Sequence, residues 1–119
     1  MASTVEENKP LGKAVYEILR EAQANDKKEV RSQERYAFFR PVTVHVGKQQ
    51  ISAFSREVSE TGIGLLHSSA LPLEEVEVTI PTEQGYSVRI RTRMFWCEPC
   101  GEGWHISGGQ FVGIAGIGA

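Results

Sequence analysis

Three groups of residues combine types and spacings that chemistry could use. Arg31, Arg35 and Arg40 come first, interleaved with Tyr36, Phe38 and Phe39. Guanidinium groups grip phosphate oxygens in a forked geometry and stack on purine faces, so such a segment can enclose a nucleotide. The plainer reading is a solvated linker that ends in an aromatic anchor. The second group is Glu57, Ser59 and Gly62, in a polar stretch rich in turn formers. Gly62 suits a tight turn, and the Ser59 hydroxyl can donate or accept beside a bound base. The third is Trp96-Cys97-Glu98-Pro99-Cys100. A thioredoxin-like pair needs an activating helix after it, whereas Gly101, Gly103 and a strand follow here. A closed zinc site needs four ligands, and only His105 with His67 or His45 could complete one. No metal is assigned, and a reduced Cys pair in a hairpin is expected.

Hydrolytic chemistry finds little support. Asp26 is the sole aspartate and lies in a polar linker, while His45, His67 and His105 fall in or beside strands, where a structural imidazole is the default. The reading is therefore not an enzyme, with no resident cofactor.

The elements that must position these groups follow from periodicity. Leu11, Val15, Ile18, Leu19 and Ala22 mark one apolar stripe on an amphipathic helix over 11–23, with Pro10 suited to its first position. After Arg40 the pattern alternates. Val42, Val44 and Val46 share one strand face, and further strands are expected near 50–55, 63–67, 76–80, 87–96 and 104–112. In the clearest of them, Val88, Ile90, Thr92, Met94 and Trp96 fall on one face, and Arg89, Arg91, Arg93 and Phe95 on the other. That arginine row reads as a solvated outer face or as a surface for an anionic partner. Short strands broken by Gly and Pro turns predict a mainly β fold, a small six-stranded antiparallel barrel preceded by the helix. The expected organisation is a helical extension over 1–24, a basic lead-in over 25–39, a barrel over 40–112 and a Gly-rich mobile tail over 113–119.

Composition bounds the function. The 119 residues carry 13 Lys plus Arg against 15 Asp plus Glu, a net charge of −2, which argues against a nucleic-acid polymer as partner. Charge placement modifies that average: residues 26–40 hold five basic side chains against three acidic ones, a local excess suited to one small anionic ligand. The polar, acidic N-terminus and the lack of a span-length apolar run predict a cytoplasmic protein with no membrane span.

Together, the arginine segment and the turn resemble the PilZ family, bacterial receptors for cyclic di-GMP. The family signature is Arg-x-x-x-Arg just before the first strand and Asp/Asn-x-Ser-x-x-Gly between the second and third. Arg40 stands in the second arginine position ahead of Pro41-Val42-Thr43-Val44, while Ser59 and Gly62 fit the second motif. Tyr36 occupies the other arginine position, Arg35 lies one residue too far, and Glu57 replaces Asp or Asn. The resemblance implies a PilZ-like barrel in which Arg35 and Arg40, with Arg31 as a further candidate, pair with the ligand's phosphates. Glu57, Ser59 and Gly62 would read a guanine edge. Cyclic di-GMP would act as a regulatory ligand whose binding orders the N-terminal segment and alters contact with an unidentified protein partner. The alternative is a degenerate PilZ domain, an adaptor that has lost nucleotide binding. The helix either folds onto its own barrel or pairs two chains into a homodimer.

Overall fold

The structure, a computed structural model, describes residues 4–25 and 35–118, the side chains of 4–10 and 24–25 excepted. Its elements are α1 (Thr4–Asn25), β1 (Tyr36–Ala37), β2 (Pro41–Val46), β3 (Gln49–Val58), β4 (Gly62–His67), β5 (Glu75–Pro81), β6 (Ser87–Gly101) and β7 (Trp104–Gly118). The strand order is β1-β3-β2-β5-β6-β7-β4, and an added β3–β4 pairing closes six antiparallel strands into a barrel, with β1 as an extra strand on β3. Closure leaves the alternating side chains one interior to fill. Val44, Leu65, Val78, Ile80 and Ile90 are wholly buried there.

The helical stripe is used on the chain's own barrel. α1 packs on β1, β3 and β7, and Ile18 and Ala22 are fully buried in the shared core. The face that a helix-paired homodimer would need is thus already covered. α1 also starts at Thr4, so Pro10 falls inside the helix, where its missing N–H leaves one rung of the ladder unmade.

Two expectations about the last strands are overturned. Residues 113–118 are no mobile tail: they extend β7 and pair with β6 from Gly113↔Arg91 to Gly118↔Ser87. The first half of β6 needs a second neighbour besides β5, and that demand outweighs the weak strand propensity of glycine. The alternation along β6 holds from Val88 to Phe95 and then breaks. Pairing shifts register between Met94 and Trp96, a β-bulge that leaves Trp96 38% exposed beside Phe95 instead of inside with Met94.

The arginine row is largely charge-compensated by β5. Arg89 bonds Glu77 at 2.6 Å and Arg91 pairs with Glu75 at 3.5 Å, all four side chains being well exposed. Exposed pairs of this kind contribute only about 0–1 kcal/mol.

One buried polar group makes stability depend on pH. His67 on β4 is wholly buried, and its Nδ1 must donate to the Ser69 carbonyl at 2.6 Å, so its Nε2 accepts from the Ser107 hydroxyl at 2.7 Å. His105 lies parallel to it, ring centres 6.1 Å apart. Burial, aided by His105 and opposed by the Ser69 carbonyl, holds the His67 pKa below its ordinary value. The unfolded chain then binds the proton first, so stability is complete above about pH 6.5 and declines as pH falls toward the folded-state pKa. Urea unfolding at pH 7.5 and pH 5 should show that loss, and His67→Gln should narrow the gap between the two. An equal gap in the variant would remove His67 as its source.

Candidate ligand groove

The groove lies where β3 turns into β4, opposite the bulge in β6. Pairing of β1 with β3 (Tyr36↔Val58, Ala37↔Glu57) brings Arg35 beside Glu57, and their side chains bond at 3.0 Å. The Glu57 stem lies over Gly64, where an added Cβ would come within 3.1 Å of it. The turn that follows is held by Ser59: its amide donates to the Gly62 carbonyl at 2.9 Å, while its Oγ accepts from the amides of Thr61 at 3.3 Å and Gly62 at 3.2 Å. This hydroxyl fixes a turn that bulkier residues would not form so tightly.

The opposite wall comes from β6 and β7. Phe95 and Trp96 line it with Gly108 and Gly109, which, like Gly62 and Gly64 of β4 across the groove, contribute backbone in place of side chains. The groove, open to solvent along one side, has a volume of about 430 Å³, within the usual range for a small-molecule site. One cation, one carboxylate, hydroxyls at Ser59 and Thr61 and two aromatic rings face it. Such a set can stack a planar ring, pair an anion with Arg35 and accept N–H donors at Glu57.

The tertiary fold therefore gathers Arg35, Glu57, Ser59 and Gly62, four of the residues expected from sequence. Arg40 is not among them. Its guanidinium bonds Glu21 of α1, donates to the Pro81 carbonyl at 2.9 Å, reaches Glu83 at 3.3 Å and rests over the Phe38 ring at 4.4 Å. Glu21 in turn accepts from the Glu83 amide at 3.2 Å. Arg40 thus ties the helix to the barrel. Tyr36, in the other motif position, packs half-buried against the core. Arg31 lies outside the described residues.

Sequence reasoning missed Phe95, Trp96, Gly108, Gly109 and Gln110, which also line the groove. The one available signal was the Gly108-Gly109 pair, an empty place on a strand otherwise supplied with side chains. Cys97 and Cys100 are both free thiols on β6, with a register shift of the β6–β7 pairing between Pro99 and Gly101 at the second of them, which is exposed. Cys97 is half-buried, with the Leu71 amide 3.5 Å from its sulfur, and no group of three or more His, Cys, Asp or Glu gathers among the described residues.

Comparison with known proteins agrees with this architecture. A family model described as the PilZ domain matches residues 29–117. Among solved structures, the chain is similar to the Bacillus subtilis inhibitor of motility MotI/DgrA, at 16% identity and a TM-score of 0.57. The alignment covers 74% of this chain and 44% of that one, so the chain spans less than half of its neighbour and the likeness is one of fold. No curated protein matches the sequence. The matched span takes in nearly the whole barrel together with the turn carrying Ser59 and Gly62, and the chain belongs to the PilZ domain family, a family of cyclic di-GMP receptor and adaptor domains without enzymatic activity of their own.

Proposed function

We propose that this PilZ domain is a cytoplasmic cyclic di-GMP receptor that takes the nucleotide in the groove between the β3–β4 turn and the β6 bulge. The observation that carries the reading is that Arg35, 22 residues before Glu57, meets the Glu57, Ser59 and Gly62 turn on one space. A phosphate reaching Arg35 must compete with Glu57, and a carboxylate released from that pair is free to accept from a guanine edge. Arg35 lies in the lead-in that joins α1 to the barrel, so drawing it toward a phosphate orders the N-terminal segment and changes what a protein partner meets there. No bond is made or broken.

A second reading is favoured by one observation: Arg35 and Arg40 are both engaged by carboxylates. Under it the domain is an adaptor that no longer binds nucleotide. Calorimetry with purified protein separates the two. The receptor reading expects saturable heat with cyclic di-GMP, and Arg35→Ala should weaken binding about tenfold by removing a charge-assisted contact. Absence of heat at high micromolar nucleotide would sink the receptor reading in favour of the adaptor.

A further inference from the structure

Directly opposed residues of neighbouring strands share a face of the sheet, and one such row on the outside of the barrel is apolar. The pairings Pro41↔Phe54, Phe54↔Leu66 and Leu66↔Ile106 carry it across β2, β3, β4 and β7. The alternate residues Ala53, Leu65, His67 and Ser107 are buried inside the barrel, so the row itself points outward. Phe39 extends it. Its ring is 70% exposed and stacks on Phe54, with centroids 5.2 Å apart and planes 4° from parallel. Trp104, two residues before Ile106 on β7, adds a 41% exposed indole on the same side. A contiguous apolar patch of this kind marks a contact surface. Residues 26–34, outside the described part of the chain, hold Val30 as their one apolar side chain and offer nothing to cover it.

The charges beside the stripe say what does. Lys48 in the β2–β3 turn and Arg56 on β3 lie on one flank, Glu98 on β6 and Glu102 in the β6–β7 turn on the other. All four are exposed, and none forms an ion pair with a described residue. A face that is apolar in the middle, basic on one flank and acidic on the other complements itself when turned over. With a two-fold axis running along β4, β3 of one copy lies over β7 of the other, so Phe54 meets Ile106 and each basic flank meets an acidic one. We propose that this face docks a second copy of the chain, sheet on sheet with the strands nearly aligned. Every contact then occurs twice, and α1 stays on its own barrel. The docking needs no nucleotide.

Sedimentation velocity of the full chain without nucleotide, between roughly 5 and 500 μM, should show a monomer–dimer equilibrium that weakens with added salt. Phe39→Glu, at an exposed position, should keep the native melting temperature and weaken the dimer about tenfold or more. The double variants Lys48→Glu with Arg56→Glu, and Glu98→Lys with Glu102→Lys, make both flanks of one copy alike in sign. Each should be monomeric alone, and an equimolar mixture of the two should form a dimer about as tight as the native one. A monomer at every concentration overturns the self-docking and leaves the face to a different protein, while the calorimetric result with cyclic di-GMP stands either way. A dimer untouched by Phe39→Glu also overturns the proposal, since its interface lies elsewhere. Failure of the mixture to pair overturns the arrangement about β4.

Discussion

Arg40→Ala should lower the unfolding free energy by about 3 kcal/mol and leave cyclic di-GMP affinity within about twofold. The Arg40 and Glu21 side chains are 14% and 7% exposed, so their ion pair is mostly shielded from water. Removing one partner of such a pair typically costs about 3–5 kcal/mol, since the remaining charge keeps its desolvation penalty; the residual exposure of Arg40 favours the lower end. The bond to the Pro81 carbonyl and the Phe38 ring contact disappear with it. In a chain of this size the loss corresponds to a melting temperature lower by about 10 °C. Arg40→Lys should fall in between, because an ammonium keeps the charge but cannot reach Glu21, Glu83 and Pro81 from one planar fork. Arg89→Ala is the natural contrast. Its pair with Glu77 is 44% and 37% exposed, and the expected cost is below about 1 kcal/mol. Hydrogen exchange should locate the damage, with α1 amides losing protection ahead of those in β4 and β7. Unchanged stability combined with lost nucleotide binding would return Arg40 to the ligand and dismiss the helix clamp.

Gly62→Ala should be about as damaging, for a steric reason. A Cβ on Gly62 would lie 2.2 Å from the Gly109 carbonyl oxygen, and that atom belongs to a backbone held in the β4–β7 ladder. A side chain could rotate away. A paired strand has to separate, and overpacking of this kind costs about 1–3 kcal/mol, here toward the upper end. The same change displaces the amide that Ser59 Oγ accepts from, so the turn and the barrel closure weaken together. Thermal melting should show a drop of several degrees or more, about 4 °C for each kcal/mol. Gly116→Ala provides the control, since a Cβ there meets nothing within 4 Å. If both variants melt alike, the contact at Gly109 is not what constrains Gly62. Gly64→Ala should be gentler, because its nearest neighbour is the flexible stem of Glu57.

Most of the barrel was legible because the chain is written in period two. Val42 and Val44, Val76 and Val78, and Val88, Ile90 and Met94 are buried as their alternation predicts. The Ser59 to Gly62 turn was also legible, since side-chain capping of a tight turn depends on residue type over a few positions. The ends of β6 and β7 were not. Nothing local marks residues 113–118 as strand: they are glycine, alanine and isoleucine, and only the neighbouring β6 gives them a ladder to join. The groove was half legible for the same reason. Ser59 and Gly62 fit the family motif, and Arg35 and Glu57 follow from the resemblance despite their departures from it, but alternation puts Trp96 on the face of Val88, Ile90 and Met94, and a bulge changes the face of every residue beyond it.

The sequence by itself determined the class of the molecule: an apolar helical stripe, alternating strands, a hydroxyl-bearing turn and a basic lead-in, each specified by residue type within a few positions. Only the tertiary structure decided which arginine faces the groove and which ties down the helix. Arg35 and Arg40 have the same side chain and lie five residues apart, yet one meets Glu57 across β1–β3 while the other meets Glu21 and Glu83 from distant parts of the chain. Side-chain direction follows from strand register and charge finds its partner through space, and both are fixed by pairings between residues that composition and periodicity cannot connect.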